Sequence, residues 1–291
     1  MEKEVFVSDY EKLREIILNS VINNVPFSTK GYDADALKKV GREIAESALV
    51  GDFEILYQPQ VNFDGTVKSA EAFVNQTLYD VEIDRRVLDF LARTNKFETE
   101  ISGLTFAKIC RDMEDIVKGL GDDYMIMFKL NPTLFNDEFC QYYCETLIDH
   151  KLKPENIAIA FSQGANFETL SAELMEKLKS LGTRFILDNY GLEQNDFNTL
   201  QSFPFDFVKI AREVTSKIHQ SDEQQQIVED LIHGYHRNFK VVADGVQSEQ
   251  EFETLQNLSA RMIQGYVFSN IFSKEELIEK SSTVSKGLAL Q

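Results

Sequence analysis

The 291-residue chain is 43% hydrophobic and 27% charged, and its formal net charge is −18 at pH 7. This composition is typical of a globular protein with a sizeable core. The negative charge disfavours binding to a nucleic acid polymer or an anionic membrane surface, because both are themselves negative. The cysteines Cys110, Cys140 and Cys144 form no CxxC pair, so we expect reduced, mostly buried thiols. Since the sequence shows no secretory signal and no apolar run as long as a membrane span, we expect a cytoplasmic protein.

The beginning of the chain differs from the rest. Residues 1–35 combine an amphipathic helical pattern with a loop, and we interpret them as a helical extension or a linker. Residues 36–282 are predicted to form the main domain, and residues 283–291 a short tail.

From residue 36 onward, helical and strand patterns alternate. The segment "ALKKVGREIAESAL" has helical spacing, while "FEILYQPQV" and "TVKSAEAFV" flank Asp64–Gly65 and predict a hairpin. Amphipathic helices then alternate with the apolar segments "YMIMFKL", "IAIAF", "RFIL", "DFVKI", "KVVA" and "MIQGYVF". Such alternation predicts a parallel sheet covered by helices. The eight candidate strands favour a TIM-like (β/α)8 barrel whose first strand runs against the others, with a doubly wound open sheet as the alternative.

Polar residues lie inside or at the ends of these apolar strands. Barrel enzymes place their chemistry at the carboxyl ends of the strands. A charged side chain in a buried strand must be paired or must bind something. We therefore favour one shared polar site over a set of unrelated turn residues. The residues concerned are Glu71, Lys129, Gln163, Asp188, Asn189, Lys209, Asp244 and Gln264.

The motifs around these residues resemble those of the EAL domain, the cyclic di-GMP phosphodiesterase family of bacterial signalling. They are "YQP", "AEAF", "DNYG", "FPFDFVKI", "KVVADGV" and "IQGYVFS", and they occur in the family's order over about residues 36–282. The resemblance implies a β/α barrel with one antiparallel strand. It also implies metal-assisted hydrolysis of one phosphodiester bond, in which two divalent cations activate water. Mg²⁺ or Mn²⁺ would be the cofactor of an active member, held chiefly by carboxylates.

The resemblance assigns roles to individual residues. It implies that Glu71, Asp188 and Asp244 stand at metal-ligand positions, and that Lys209 stands at the position of the catalytic lysine. A cyclic di-GMP ligand would contact four residues through its phosphates and bases. They are Gln58, Lys129, Lys209 and Gln264. For Gln58, the alternative is that it only satisfies backbone groups.

Seven positions depart from the pattern that the resemblance implies. They are Asn75 for the Arg that grips substrate, Lys129 for an Asn ligand, Ala160 for a Glu, Asn189 for the second Asp, Ala211 for an Asp, Asp244 for a Glu, and Gln247 for the Glu that braces a catalytic loop.

These departures change the charge of the site. The family pattern combines five carboxylates with one lysine, whereas this chain combines three carboxylates with two lysines and keeps one excess negative charge. An ammonium group at position 129 would replace a metal ion and pair with Glu71 or Asp188. We therefore expect the metal positions to be vestigial, Lys209 to be a residual catalytic residue, and no cofactor to bind.

Three hypotheses about function follow. The first is a non-enzymatic regulator in cyclic di-GMP-related signalling that acts through contacts with an unidentified protein partner. The second is a receptor that binds cyclic di-GMP without cleaving it. The third is a weak metal-dependent cyclic di-GMP phosphodiesterase. A homodimer is compatible with each of them.

Overall fold

The computed structural model describes residues 53–78, 81–83, 98–162, 167–192, 196–233 and 239–288. The predicted N-terminal extension, the helix predicted near residue 36 and the predicted site residue Gln163 lie outside these ranges. The chain divides into two compact units. One contains residues 1–55 and 73–108, and the other contains residues 56–72 and 109–291.

The described residues form a sheet of nine strands. They are β1 (Phe53–Asn62), β2 (Val67–Leu78), β3 (Val81–Ile83), β4 (Met125–Lys129), β5 (Ile157–Ser162), β6 (Arg184–Tyr190), β7 (Phe207–Ile210), β8 (Lys240–Ala243) and β9 (Met262–Ile263). The order is β1-β9-β8-β7-β6-β5-β4-β2-β3, and β1 also pairs with β2, which closes a ring of eight strands. Strand β2 is parallel to β4, and the consecutive strands from β4 to β9 are parallel to one another. Strand β1 is antiparallel to β9. The predicted barrel with one antiparallel strand is therefore confirmed, and the open sheet is excluded.

Helices follow most of the parallel strands. They are α1 (Glu98–Leu120), α2 (Asp137–Asp149), α3 (Ala172–Leu181), α4 (Asp196–Ser202), α5 (Arg212–Thr215), α6 (Asp222–His233), α7 (Glu249–Asn257) and α8 (Lys274–Leu288). Sequence determines where several of them begin. In α3, for example, the Ser171 side chain accepts a hydrogen bond from Leu174 N, and Gly182 ends the helix at a φ of 115°. The last helix, α8, continues to Leu288, past the predicted domain boundary at residue 282.

The hairpin between β1 and β2 forms at the predicted turn. Asp64 Oδ1 accepts hydrogen bonds from the backbone N–H and the hydroxyl group of Thr66. Gly65 has a φ of 82°, which a residue without Cβ adopts readily. This turn reverses the chain before β2, so β1 is the strand that runs against the rest of the barrel.

Three features of the strands differ from the sequence predictions. Strand β3, which pairs antiparallel with the end of β2, was not predicted. Strand β6 does not end at Asp188 but continues to Tyr190, with an irregular register between Leu187 and Tyr190. The segment predicted as a strand over residues 262–268 is extended only at Met262–Ile263, and a turn follows in which Phe268 N donates to the Gly265 carbonyl.

A cluster of buried apolar side chains, which we call the apolar layer, forms the core of the barrel. Its members are Met125, Met127, Ala158, Ala160, Ile186, Phe207, Val242 and Met262. On β4, Met125 and Met127 belong to this layer and Lys129 ends the strand, so the charged residue follows the apolar ones. Within the described residues, no helix has the length and apolar character that crossing a membrane requires.

Candidate functional site

The charged residues meet at the carboxyl ends of the barrel strands, a region that we call the mouth. Glu71 lies on β2, Lys129 ends β4, Asp188 lies on β6, Lys209 lies on β7, and Asp244 follows β8. Side chains on one face of a strand recur every second residue, and closing the barrel directs these inward. Glu71 and Asp188 are fully buried, and Lys209 is 1% exposed.

Lys209 is surrounded by carboxylates. Its ammonium nitrogen lies 2.5 Å from Glu71 Oε2, 2.9 Å from Asp244 Oδ2 and 3.8 Å from Asp188 Oδ1. Burial alone lowers the pKa of a lysine, but the negative charges of Asp244, Glu71 and Asp188 outweigh it and hold the pKa of Lys209 well above its ordinary value. Lys209 therefore carries a positive charge.

Lys129 bridges two of the same carboxylates. Its Nζ lies 3.1 Å from Glu71 Oε1 and 2.7 Å from Asp188 Oδ2. The Lys129 side chain is 20% exposed, so it is the more accessible of the two lysines. Ser162 adds a hydroxyl hydrogen bond of 3.2 Å to Asp188 Oδ2. Both oxygens of Glu71 thus face cations, and Asp188 Oδ2 faces a cation and a hydroxyl group.

Asp244 forms the outer edge of this cluster. Burial raises the pKa of its carboxyl group above the ordinary value, although the charge of Lys209 opposes the shift. The Asp244 backbone carbonyl accepts a hydrogen bond from the Thr215 hydroxyl group, which ties the loop after β8 to α5. The carboxylate is therefore held in place by its backbone as well as by its partner.

A chain of buried amides lies beneath the charged cluster. Gln264 Nε2 donates to Glu71 Oε2 at 2.7 Å and to Gln58 Oε1 at 2.9 Å. Gln60 Nε2 donates to Gln264 Oε1 at 3.0 Å, and the Ser69 hydroxyl group donates to Gln60 Oε1 at 2.8 Å. These contacts fix the orientation of each amide, because each carbonyl oxygen faces a donor. We call this set the amide chain: Ser69, Gln60, Gln264 and Gln58, ending on Glu71.

The cluster is close to electrical balance. Three carboxylates face two ammonium groups, and every carboxylate lies within 4 Å of at least one of them.

Across the described part of the chain, no group of three or more His, Cys, Asp or Glu side chains is arranged to hold a metal ion.

The sequence matches the EAL domain over residues 42–270. The chain belongs to the EAL domain family.

Proteins of several bacteria are similar to this chain. An uncharacterized signaling protein of Caulobacter vibrioides is 28% identical over 237 residues, which are 79% of this chain and 29% of that protein. The cyclic di-GMP phosphodiesterase NbdA of Pseudomonas aeruginosa is 23% identical over 289 residues, covering 91% of this chain and 36% of NbdA. The blue light- and temperature-regulated antirepressor BluF of Escherichia coli is 26% identical over 155 residues, covering 52% of this chain and 38% of BluF. The chain therefore spans well under half the length of these relatives.

Solved EAL structures share the fold. The PaMucR phosphodiesterase in its c-di-GMP complex superimposes with a TM-score of 0.75 at 21% identity, covering 82% of this chain and 99% of that chain. The FimX EAL domain of Xanthomonas citri in complex with c-diGMP has a TM-score of 0.74 at 16% identity, covering 81% of this chain and 94% of that chain. At these identities the likeness concerns the fold alone.

The positions that we predicted from the sequence to depart from the EAL pattern have distinct surroundings. Ala160 is fully buried in the apolar layer, and Asn189 is held at a φ of 62°. Ala211 precedes α5, and its backbone N–H donates to the Tyr190 carbonyl. Asn75 lies on β2, and its buried Oδ1 has no hydrogen-bond donor among the described residues.

The brace of the loop after β8 comes from a residue that sequence analysis did not identify. Gln247 contributes its backbone N–H, which donates to Glu251 Oε2 at 2.8 Å. Glu251 also accepts from Ser248 N and Lys217 N, so its carboxylate holds three backbone amides. The signal was present, because Ser248 and Glu251 have the spacing of a capping box.

Gln60 and Ser69 were also missed. Gln60 is two residues after Gln58, and this spacing places both on one face of β1. The repeat of polar residues in an otherwise buried strand was the available signal.

Proposed function

We propose that this EAL-domain chain is catalytically degenerate and acts as a non-enzymatic regulator in cyclic di-GMP-related signalling, through contacts with a protein partner. One observation carries the proposal. The Lys129 ammonium group lies 3.1 Å from Glu71 and 2.7 Å from Asp188, between two carboxylates at metal-ligand positions of the family pattern.

The two cations of an active EAL domain do not fit this donor set. A unit charge 4 Å from another contributes about 4 kcal/mol at an effective dielectric of 20, and a divalent ion about doubles this value. An ammonium group held this close to Glu71 and Asp188 would therefore repel an incoming cation strongly. The carboxylates would also lose their present partners, Lys129 and Lys209, if they turned toward a metal.

The remaining ligand positions support the same conclusion. Ala160 offers a methyl group where the family pattern has a carboxylate, and Asn189 and Ala211 are uncharged. Hard cations such as Mg²⁺ require several oxygen ligands, chiefly from carboxylates. Glu71, Asp188 and Asp244 alone give a site with fewer charged ligands than two cations need.

Two observations support a protein partner. Tyr266 and Val267, just after β9, are 58% and 38% exposed, and Leu192, just after β6, is 49% exposed. Large apolar side chains exposed beyond the carboxyl ends of strands are suited to contact with another protein. In addition, one relative, BluF, is named as an antirepressor.

A receptor that binds cyclic di-GMP without cleaving it is the second candidate. The FimX and PaMucR structures contain this ligand. In this chain, the partly exposed Lys129 ammonium is a cation that a phosphate group would contact. Against this candidate, the amide groups of Gln58 and Gln264 are already bonded to each other, and Asn75 replaces the substrate-gripping Arg.

The deciding experiment is incubation of the chain with cyclic di-GMP, with and without Mg²⁺ or Mn²⁺, followed by chromatography of the products. We expect no metal-dependent conversion to the linear dinucleotide. Conversion that requires metal and disappears in a Glu71→Gln variant would establish the weak phosphodiesterase and refute the proposal. Isothermal titration with cyclic di-GMP in the absence of metal separates the first two candidates, because only the receptor releases or absorbs heat.

A further inference from the structure

A cavity lies at the opposite end of the barrel from the mouth. It has a volume of about 450 Å³, within the range of small-molecule pockets. Residues at the beginnings of the parallel strands line it, together with the end of the antiparallel β1. We call it the basal cavity.

The walls of the basal cavity combine an apolar surface with cations. Met125, Phe207 and Met262 line it and are 8%, 8% and 5% exposed. Lys240 and Arg184 also line it, on the strands that flank β7. Thioether and aromatic groups are suited to contact a flat apolar ligand, and the cations are suited to contact an acidic group on that ligand.

Among the cations of the basal cavity, Lys240 is the one best placed to bind a ligand anion. Its Nζ lies 5.7 Å from the centre of the Phe207 ring, and none of the described carboxylates forms an ion pair with it. The other lysine of the cavity, Lys68, is already paired with Asp123 at 3.0 Å. A ligand anion at Lys240 would therefore form an ion pair without displacing an existing one.

Arg184 is also only weakly engaged. Its Nη1 lies 3.7 Å from Asp206 Oδ1, which is longer than a hydrogen bond. Asp206 itself is held more closely by Lys179 at 2.9 Å and by the backbone N–H of Phe185 at 2.9 Å. The guanidinium group is therefore free to turn toward a ligand while Asp206 keeps its partners.

The acidic residues of the cavity do not oppose an anion at Lys240. Asp123 and Asp206 are neutralised by Lys68 and Lys179. The third acidic residue, Glu155, packs against Gly182. A Cβ atom placed on Gly182 would lie 2.4 Å from Glu155 Oε1, so the carboxylate lies close to this glycine. Glu155 precedes β5, so β6 and β7 separate it from the strand of Lys240.

From these contacts we infer that the basal cavity is a binding site for a small organic anion with a flat apolar body. The acidic group, a carboxylate or a phosphate, contacts Lys240 and Arg184, and the apolar body lies on Phe207, Met125 and Met262.

Ser69 connects the basal cavity to the mouth. It lines the cavity and donates to Gln60, the first amide of the chain that ends on Glu71. A ligand that contacts Ser69 therefore contacts the first residue in a series of hydrogen bonds that ends at Glu71 in the charged cluster. Lys129 does not line the basal cavity. A negative result in the binding test below would therefore leave the proposed function unaffected.

The test uses 1-naphthoate as the probe and fluorescence anisotropy of the naphthalene group as the readout. The chain contains no tryptophan, so naphthalene can be excited selectively. The 291-residue chain is titrated with 1-naphthoate, neutral 1-naphthamide and cationic 1-naphthylmethylammonium. We expect saturable binding of 1-naphthoate with an affinity at least ten-fold higher than that of the other two. Equal affinity for the three probes, or no binding of 1-naphthoate, would refute the inference.

Variants then locate the site. Lys240→Gln and Arg184→Gln should each weaken 1-naphthoate binding at least five-fold, while leaving the thermal unfolding midpoint nearly unchanged because both side chains are exposed. Lys118→Gln removes the same charge from a side chain that is 72% exposed on α1, and it should change the affinity less than two-fold. Unaltered affinity in Lys240→Gln, or loss of binding in Lys129→Gln with retention in Lys240→Gln, would place the probe elsewhere and overturn the assignment.

Discussion

Lys129 Nζ contacts Asp188 Oδ2 at 2.7 Å although their strands, β4 and β6, are not neighbours. The strand between them is β5, where Ala160 is in register with Lys129. Ala160 contributes only a methyl group at this level, so the lysine side chain is able to cross β5 and reach Asp188. A carboxylate at position 160 would stand in this path. The residues at positions 129 and 160 therefore act together: the long side chain of Lys129 reaches Asp188, and the small side chain of Ala160 leaves room for it.

The first prediction concerns the Lys129→Met variant. It leaves Glu71 and Asp188 with Lys209 as their remaining cation, and losing one partner of a largely buried ion pair costs about 3 kcal/mol of unfolding free energy. Urea denaturation followed by circular dichroism measures this loss. Lys118→Met is the matched control, because its side chain is 72% exposed, and such a surface change should alter stability by about 0.5 kcal/mol or less. Equal stability of the two variants would show that Lys129 does not neutralise the cluster.

The second prediction concerns metal ions. The thermal midpoint of the unmodified chain should be insensitive to millimolar Mn²⁺ and to a chelator, because Lys129 occupies the position between Glu71 and Asp188. Lys129→Asn removes this charge and offers an amide oxygen, so it should gain weak Mn²⁺ affinity. An ion at ten times its Kd stabilises the folded state by about 1.4 kcal/mol, which raises the midpoint by about 3–5 °C.

The control for this experiment is Lys118→Asn, which should show no response to Mn²⁺. The gain in Lys129→Asn should remain partial, because Ala160 and Asn189 still supply no carboxylate. A midpoint of the unmodified chain that rises with Mn²⁺ as much as that of Lys129→Asn would contradict the exclusion of metal by the lysine.

The third prediction concerns the amide chain. Gln60→Leu leaves the Ser69 hydroxyl group without its acceptor and Gln264 Oε1 without its donor, and burying such unsatisfied groups should cost about 2–3 kcal/mol. Ser69→Ala alone should cost about 1 kcal/mol. Because the two residues share a hydrogen bond, the double variant should lose about 1 kcal/mol less than the sum of the single losses. Strict additivity in urea denaturation would mean that this hydrogen bond contributes nothing to stability.

Much of the barrel was predictable because the patterns that indicate it lie within short segments of the sequence. Alternating apolar strands and amphipathic helices, with a turn at Asp64–Gly65, indicated the architecture and the reversed first strand. Strand β3 was not predictable, because three residues are too short to produce a periodic pattern. The continuation of β6 through Asp188 was missed because a charged residue after an apolar run is usually interpreted as the end of a strand. Here Lys129 neutralises that charge, and Lys129 is distant in sequence.

The sequence predicts which residues form the site, but it does not predict which of them contact one another. The charged residues could be placed at strand ends from their position after apolar runs, and pairing of Lys129 with Glu71 or Asp188 followed from the need to neutralise a buried cation. The structure places it against both. Which amide faces Gln264 depends on the register of β1 against its neighbours, and no local pattern determines this register. The basal cavity likewise depends on side chains from strands that meet only when the barrel closes.

The fourth prediction concerns Glu251, whose buried carboxylate accepts from Lys217 N at 2.9 Å, Gln247 N at 2.8 Å and Ser248 N at 3.2 Å. Burial alone raises the pKa of a carboxyl group, but these backbone amides outweigh it and lower the pKa of Glu251. A lowered pKa in the folded state means that the carboxylate contributes stability above its unfolded pKa of about 4.3, and that this contribution disappears as the pH falls through the folded value.

Glu251→Gln removes this contribution, since an amide keeps one acceptor and turns its NH₂ group toward a backbone donor. At pH 7 the variant should be about 1.5–3 kcal/mol less stable than the unmodified chain, and the difference should shrink as the pH is lowered below about 4.3. Glu253→Gln, an exposed change on the same helix α7, should show no such pH-dependent difference. Urea denaturation at a series of pH values measures both. If the stability difference between Glu251→Gln and the unmodified chain stays constant from pH 7 to pH 3, the charge of Glu251 does not hold the loop after β8 in place. The shape of the side chain would then be responsible.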